Sequence, residues 1–250
     1  MVGKKTSNNP LKNKRVLITG GASGIGSEIS RIFAKHGALV GIHYSKNKKA
    51  AKKLMSELSI YTQVKIYQES FSKSKLNLVK KFTKDFGGID ILINNAGTMA
   101  NKSFFNIDSE EYDFVFNINT RAPFLLSKDS FKFMKKQNYG RIINISSFTV
   151  KYGMGRKESI HYAASKAAIE ELTIGLSRIG AKNNILVNTI RPGIVDTKMQ
   201  KGRKGLKNRI KMIPLKRLVK PREIAEMVLY LCSEKGAFIT GQTISISGGE

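Results

Sequence analysis

Residues 15–26 read RVLITGGASGIG, and this stretch decides the fold. Its first five residues are a short apolar run typical of a buried strand, and an amphipathic helical pattern begins at Ile25. Glycines at positions 20, 24 and 26 permit a tight turn and close packing of the helix on the sheet. The helix N-terminus then presents free N–H groups and the positive end of the helix dipole, which favour a bound phosphate. The stretch therefore predicts a strand, a phosphate-binding turn and a helix.

The remainder of the chain alternates strand-like and helix-like segments in the same way. Strands that are apolar on both faces are typical of a parallel sheet covered by helices on each side. We predict one doubly wound α/β Rossmann domain with a parallel sheet of about seven strands and helices on both faces. The predicted strands are residues 15–19, 39–44, 63–68, 90–97, 140–147, 185–193 and 242–247, and the predicted helices are 25–37, 47–59, 75–87, 109–137, 159–180 and 221–234.

Length and composition are typical of one globular domain. The chain has 250 residues, of which 41% are hydrophobic and 25% charged. No apolar run has the length of a membrane span, and the first 15 residues lack the apolar core of a signal peptide. The single Cys232 can form no internal disulfide, which favours a cytoplasmic location. We predict a flexible arm at residues 1–13 and the Rossmann domain at residues 14–250.

The charge balance is strongly basic. Lys and Arg number 44 against 18 Asp and Glu, which gives a net charge of +26. Such a balance favours anionic partners, although lysine used as the default surface residue would give the same excess. The segment Lys198–Arg222 stands apart, since it holds eleven basic residues and no acidic one. It contains no aromatic residue to stack on a base, which weakens a nucleic-acid interpretation.

The residues after the second strand indicate the type of nucleotide. In sheets of this kind ligands bind beyond the carboxyl ends of the strands, where a carboxylate after the second strand accepts hydrogen bonds from the ribose of NAD. That position falls at Tyr44, and Ser45 and Lys46 follow it. A hydroxyl and an ammonium would hold a 2′-phosphate that a carboxylate would repel. The pattern favours NADP over NAD, with a solvated helix start as the alternative reading of the lysines.

Further polar residues follow the later strands. NNAG (residues 94–97) follows the fourth strand, two serines at 146 and 147 follow the fifth, and Pro192–Gly193 follow the sixth. Asn119 interrupts an apolar helical stripe, so it belongs either to a core network or to a site. Tyr162 and Lys166 are four residues apart and share one helix face. They are either a surface pair or an acid whose pKa a cation lowers.

Taken together, these motifs resemble the classical short-chain dehydrogenase/reductase family. TGGASGIG, NNAG, Asn119, the second serine of RIINISS, YAASK and RPG occur in the family's order and spacing, from Lys14 to Gly249. The resemblance implies that Tyr162 is the catalytic acid/base, that Ser147 and Lys166 assist it, and that Asn119 orders a water linked to the lysine. A nearby ammonium would then draw the pKa of the phenol down from about 10.

The expected cofactor is NADP(H), with NAD(H) as the alternative. No His, Cys and carboxylate cluster indicates a metal site, and His36 and His43 are read as structural. The residues expected to contact the cofactor come from the strand ends and from the catalytic helix. They are Gly20, Ser23, Gly24, Ile25, Gly26, Tyr44, Ser45, Lys46, Asn95, Ala96, Gly97, Tyr162, Lys166, Pro192, Gly193, Val195 and Thr197.

The basic segment, residues 197–222, occupies the position of the family's substrate lid. Within the family, the 3-oxoacyl-[acyl-carrier-protein] reductases are most similar in motifs and length, which implies NADPH-dependent reduction of a 3-oxoacyl thioester on an acidic carrier protein or CoA. The alternative is a reductase or dehydrogenase of a sugar, polyol or other small ketone. A third hypothesis is a non-catalytic protein that binds anions or nucleic acid. The resemblance also implies a homo-oligomer, a dimer or tetramer.

Overall fold

The computed structural model describes residues 9–72, 75–99, 102–152, 160–197, 200 and 205–250. A seven-stranded sheet in the order β3-β2-β1-β4-β5-β6-β7 runs through it, and every pairing is parallel. The strand order reverses direction between β1 and β4, which creates the switch point where ligands bind. The predicted doubly wound Rossmann fold is confirmed.

The predicted segments are close to the observed elements. The strands are β1 (Arg15–Ile18), β2 (Leu39–Tyr44), β3 (Val64–Gln68), β4 (Ile91–Asn94), β5 (Gly140–Ile145), β6 (Ile185–Pro192) and β7 (Thr243–Ile246). The helices are α1 (Gly24–Lys35), α2 (Lys48–Leu58), α3 (Leu78–Phe86), α4 (Ser109–Phe116), α5 (Ala122–Lys136), α6 (Thr149–Tyr152), α7 (Ile160–Gly180), α8 (Leu206–Met212) and α9 (Pro221–Cys232).

The sheet separates two hydrophobic cores. Val16 and Ile18 of β1 pack with α1, α2 and α9, whereas Leu17 packs with α3 and α5 on the other face. The same alternation holds for β4, where Ile93 lies on the first face and Leu92 on the second. Because successive side chains of a strand point to opposite faces, strands that are apolar throughout require a helical layer on each side.

The predicted helix 109–137 is interrupted. A π-helical turn, Asn117–Arg121, separates α4 from α5 and contains Asn119. Pro123 lies in the first turn of α5, and a proline has no N–H to continue the hydrogen-bond ladder of the preceding turns. The periodicity extends across this turn, so the sequence pattern predicts one helix where the backbone forms two.

Three predicted segments extend beyond the described residues: the arm, the helix 159–180, whose residue 159 lies outside them, and the lid. Residues 1–8 of the predicted arm lie outside them, but Leu11 is fully buried in the core and the N–H of Asn13 donates to the carbonyl of Gly37. Packing therefore begins before residue 14. In the predicted lid, residues 198, 199 and 201–204 lie outside the described residues, and α8 forms part of the remainder.

Candidate active site

The glycine-rich turn joins β1 to α1 as predicted. Gly20 and Gly24 have φ of 61° and 52°, in the left-handed region that favours glycine. A Cβ on Gly26 would lie 2.4 Å from the carbonyl oxygen of Gly20 and 2.5 Å from Nδ2 of Asn95. Within the described residues, the side chain of Ser23 makes no capping hydrogen bond to α1. The turn therefore has the close backbone approach and the helix N-terminus that a pyrophosphate needs.

The loop after β4 is tied to this turn. The amide nitrogens of Asn95 and Ala96 donate to Oγ1 of Thr19 at 2.9 and 3.0 Å. The side chain of Asn95 donates in turn to the carbonyls of Thr19 and Gly20, at 2.9 and 3.1 Å. These bonds hold Gly97, the next glycine of the loop, along the same edge of the sheet.

Two predicted catalytic residues meet beside Gly97. A Cβ on Gly97 would lie 3.3 Å from Nζ of Lys166 and 3.4 Å from Oδ1 of Asn119. Asn119 is buried, and its amide bonds both backbone groups of Thr98 and the hydroxyl of Ser165. The sequence pattern does not reveal Thr98 and Ser165 as partners of Asn119. The signal that could have found them is their position, directly after NNAG and within YAASK. The π-helical turn thus places the amide of Asn119 in contact with the loop after β4.

Lys166 is buried on α7. Its Nζ donates to the carbonyl of Ile145 at 2.8 Å and lies 6.0 Å from the centroid of the Tyr162 ring. Burial lowers the pKa of the Lys166 ammonium to about 8. The pairing of Tyr162 with Lys166 on one helix face is therefore not a surface feature.

Burial dominates the acidity of Tyr162. It raises the pKa of the phenol, and the hydrogen bond with Ser147 lowers it by a smaller amount. The pairing with a neighbouring ammonium in the sequence predicts a lowered pKa for the phenol. In the protein alone desolvation is the larger effect, because the phenolate is the form that burial disfavours.

The two serines after β5 face different partners. Ser146 is buried and its hydroxyl donates to the carboxylate of Glu170 at 2.6 Å, which also pairs with Arg191. Ser147 is only half-buried and hydrogen-bonds with Tyr162. The geometry therefore places Ser147, and not Ser146, at the phenol.

The predicted nucleotide residues after β2 divide into two kinds. Tyr44 is buried, whereas Ser45 and Lys46 are exposed at the end of the strand. The side-chain amide of Gln68, at the end of β3, donates to the carbonyl of Ser45 at 3.1 Å. An exposed hydroxyl and ammonium thus lie where β2 and β3 end, while the ring of Tyr44 is packed into the protein.

The segment after β6 approaches the glycine turn from the opposite side. The N–H of Gly193 donates to the carbonyl of Ile246, and Val195 bridges to Val219. A Cβ on Gly24 would lie 3.6 Å from Cγ2 of Thr197. The predicted cofactor residues after β6 are therefore joined to those after β1 along one edge of the sheet.

Two further findings bear on the class of protein. Among the described residues, no group of three or more His, Cys, Asp or Glu side chains is placed to hold a metal ion. In that same part of the chain, no helix combines the length and the apolar character needed to cross a bilayer.

The sheet order, the glycine turn and the strand-end residues define a Rossmann-fold protein of the dinucleotide-binding class. The family described as enoyl-(acyl carrier protein) reductase matches residues 20–250. The chain belongs to the short-chain dehydrogenase/reductase family of oxidoreductases.

Relatives with different substrates match nearly the whole chain. The 3-oxoacyl-[acyl-carrier-protein] reductase FabG of Chlamydia muridarum is 37% identical and covers 97% of this chain and 99% of its own. A 3alpha-hydroxysteroid dehydrogenase of Mediterraneibacter gnavus is 34% identical, with 95% and 97% covered. The crystal structure of a blue fluorescent protein from a metagenomic library, in complex with NADPH, has a TM-score of 0.89 at 30% identity and covers 96% of this chain and 98% of its own.

Proposed function

We propose that this protein reduces a 3-oxoacyl thioester to the 3-hydroxyacyl form with NADPH. The observation that carries the proposal is the meeting of Asn119, Ser147, Tyr162 and Lys166 at the carboxyl edge of the sheet. A phenol, a hydroxyl and a buried ammonium there are the groups that protonation of a carbonyl oxygen requires.

The residues present fit a dinucleotide. Gly20, Gly26 and Gly97 leave space that a Cβ would fill, and the start of α1 adjoins that space. Ser45 and Lys46 are exposed at the end of β2, where a 2′-phosphate would bind, and a structural relative is a complex with NADPH. When bound, NADPH supplies the hydride that reduces the carbonyl carbon.

Tyr162 acts as the general acid. Burial raises the pKa of its phenol, so the group holds its proton at neutral pH until it delivers that proton to the carbonyl oxygen. Ser147 hydrogen-bonds the same oxygen as negative charge develops on it. The phenolate left after transfer is stabilised by the hydrogen bond with Ser147 and by the nearby ammonium of Lys166.

Lys166 and Asn119 hold the surroundings of the phenol. With a pKa of about 8, the Lys166 amine is charged in most molecules at neutral pH. The hydrogen bond to the carbonyl of Ile145 fixes the position of the Lys166 ammonium. We propose that this ammonium also reaches the nicotinamide ribose. The amide of Asn119 and the ammonium of Lys166 both lie beside Gly97, where a water between them would link the two side chains.

The basic lid supports a thioester on an acidic carrier protein as substrate. Residues 198–222 carry only positive charges, and the FabG relative is by name an acyl-carrier-protein reductase. Positive charge around a cleft attracts an acidic partner and speeds its association. Carrier-bound acyl chains or CoA thioesters therefore fit this lid better than neutral ketones.

Reduction of a free ketone is the second candidate, because a hydroxysteroid dehydrogenase is 34% identical over nearly the whole chain. The alternative of a sugar, polyol or other small ketone belongs to this same class. Such substrates are neutral and would not need the basic lid.

We also propose that the protein forms a homo-oligomer. A groove between α4, α5 and α7 is lined by Phe116, Phe124 and Leu172, and Phe124 is exposed. A second copy of the chain would cover this apolar surface. Light scattering after size-exclusion chromatography should give a mass of two or four chains, and a monomer would contradict the proposal.

The test of function follows nicotinamide absorbance with acetoacetyl-CoA as substrate. We expect faster oxidation of NADPH than of NADH. Oxidation of neither, in protein shown to bind NADPH, would reject the thioester substrate and favour small ketones. Binding of nucleic acid that falls steeply with salt, together with no turnover of any ketone, would support the third hypothesis.

A further inference from the structure

His43 lies behind the glycine-rich turn and bonds it twice. It is the residue before last of β2 and is 2% exposed. Its ring Nδ1 accepts a hydrogen bond from the N–H of Gly20 at 3.1 Å, and its carbonyl accepts one from the N–H of Gly21 at 3.0 Å. One residue thus contacts both glycines at the start of the turn.

The second ring nitrogen connects the turn to β3. Nε2 lies 3.0 Å from the carbonyl oxygen of Glu69, directly after β3. Because Nδ1 accepts from Gly20, Nε2 must carry the proton and donate to Glu69. The imidazole is therefore a fixed tautomer that links the end of β3 to the turn after β1.

Packing fixes the plane of the ring. The ring of Phe71 stacks on it with centroids 4.3 Å apart and planes 6° apart. Burial lowers the pKa of His43 to about 4; the Lys81 ammonium acts in the same direction, and Glu69 opposes it. The ring is therefore neutral at physiological pH, as an acceptor for Gly20 must be.

The bond matters because Gly20 is conformationally demanding. Its φ of 61° turns the chain sharply at the end of β1, and without His43 its half-buried N–H would lose the acceptor it has here. The carbonyl of the same residue accepts from Asn95, on the other side of the turn. His43 in β2 and Asn95 directly after β4 together hold Gly20 from the two sides of β1.

We propose that His43 is a positioning residue for dinucleotide binding, which sets the glycine-rich turn through the hydrogen bond from Gly20. The proposal rests on the proposed NADPH-dependent function. Since the ring of His43 bonds Gly20 and Glu69, its loss acts on the affinity for NADPH and not on proton transfer from Tyr162.

The test compares three variants of the full chain. His43→Ala removes both ring contacts. His43→Asn places Oδ1 where Nδ1 was and can accept from Gly20, whereas His43→Gln places its amide where Nε2 was and leaves Gly20 unpaired. His36→Ala is the control, since within the described residues the side chain of His36 hydrogen-bonds the carbonyl of Ile32, at the end of α1 away from the turn. For each protein we would measure the Kd and KM for NADPH, the KM for acetoacetyl-CoA, kcat and the unfolding temperature.

We expect His43→Ala and His43→Gln to weaken NADPH binding about tenfold, which is the effect of losing about 1.4 kcal/mol. The KM for acetoacetyl-CoA and kcat should stay within about twofold. His43→Asn should restore most of the affinity, and His36→Ala should keep all of it. If His43→Ala fails to fold, the comparison of Asn with Gln decides.

Equal losses in the Asn and Gln variants would overturn the proposal, because the ring would then only fill space. Unchanged NADPH affinity in the Ala or Gln variant would overturn it as well, whatever the unfolding temperature does. Wild-type protein that does not bind NADPH would reject the proposed function itself, and the inference with it, before any variant is compared.

Discussion

The two sides of the active-site edge are held together differently. On the nucleotide side, the turn after β1 is bonded to residues at the ends of β2 and β4 through backbone groups of Thr19 and Gly20 and through the short side chain of Thr19. On the substrate side, long side chains make the links: Arg209 of α8 pairs with Glu250 and lies over the ring of Phe148, with its guanidinium carbon 5.5 Å from the ring centroid.

This difference suggests that the two sides have separate roles, in cofactor binding and in substrate selection. Backbone geometry on the nucleotide side allows few residue types, so a change there should act on cofactor binding. Side-chain contacts on the substrate side tolerate replacement without loss of the fold, so a change there should act on substrate selection. Tyr162 lies beside Lys166 and Ser147, so removal of its hydroxyl should act mainly on proton transfer.

The largest effect is expected from Tyr162→Phe. Removal of the phenolic proton should lower kcat about a thousandfold, since a positioned general acid contributes about 10²–10⁴-fold. NADPH affinity should not change, because the ring is retained. Steady-state kinetics give kcat, and titration of the same preparation with NADPH gives the affinity. The control is Tyr230→Phe, at an exposed position of α9. Turnover within tenfold of wild type would remove the phenol from the mechanism.

Gly26→Ala should lower the affinity for NADPH, which Tyr162→Phe should leave unchanged. Its Cβ would lie 2.4 Å from the Gly20 carbonyl, so the turn must shift, and NADPH affinity should fall at least about tenfold with a loss of about 1–3 kcal/mol in unfolding free energy. Titration with NADPH and denaturant unfolding test this. Gly175→Ala in α7 is the control, because among the described residues no atom outside the adjoining turns of the helix lies within 4 Å of its added Cβ. That variant should gain about 0.5–1 kcal/mol. Unaltered NADPH affinity in Gly26→Ala would show that the turn adapts.

A change at Lys46 should alter the choice of cofactor. Lys46→Glu puts a carboxylate at the exposed end of β2, and we expect the KM for NADPH to rise about tenfold while the KM for NADH stays the same or falls. Lys53→Glu makes the same charge change on the exposed face of α2 and serves as the control. Equal increases in both variants would assign the effect to net charge and not to the 2′-phosphate.

The fold could be predicted almost completely from the sequence. Strands such as 39–44 are apolar on both faces and end in polar or glycine-rich turns, so their limits are visible in the pattern. The break at Asn117–Arg121 could not be predicted, because apolar spacing continues through a π-helical turn. The short helix α8 was likewise hidden, since its seven residues include only one apolar pair at helical spacing, Leu206 and Ile210, which is too short a pattern to show a period.

The sequence proposes the members of the candidate site but not their energetics. Motif order brought together the side chains of Tyr162 and Lys166, yet the sequence does not show burial, and burial controls both pKa values. The part played by His43 also depends on the third dimension. Its partner Gly20 is 23 residues away and meets it only because β1 and β2 are neighbours.

The smallest effect is expected on the substrate side. Arg209→Gln breaks the ion pair with the buried Glu250 and loosens α8 from Phe148, which follows Ser147. We expect the KM for acetoacetyl-CoA to change about threefold while the KM for NADPH stays constant. Steady-state kinetics with each reactant varied in turn measure the two constants. Lys132→Gln is the control, because it removes one positive charge outside the lid and its pair with Asp129 on α5 is exposed.

A double-mutant cycle sharpens this result. Glu250→Gln removes the same ion pair from the other end, so it should give the same change, and the double variant should add little to either. Additive effects would mean that Arg209 acts on the substrate directly as a cation. If the KM for NADPH rose as much as the KM for acetoacetyl-CoA, the contrast between the two sides would be wrong. The contact of α8 with Glu250 would then affect nucleotide binding as well as substrate binding.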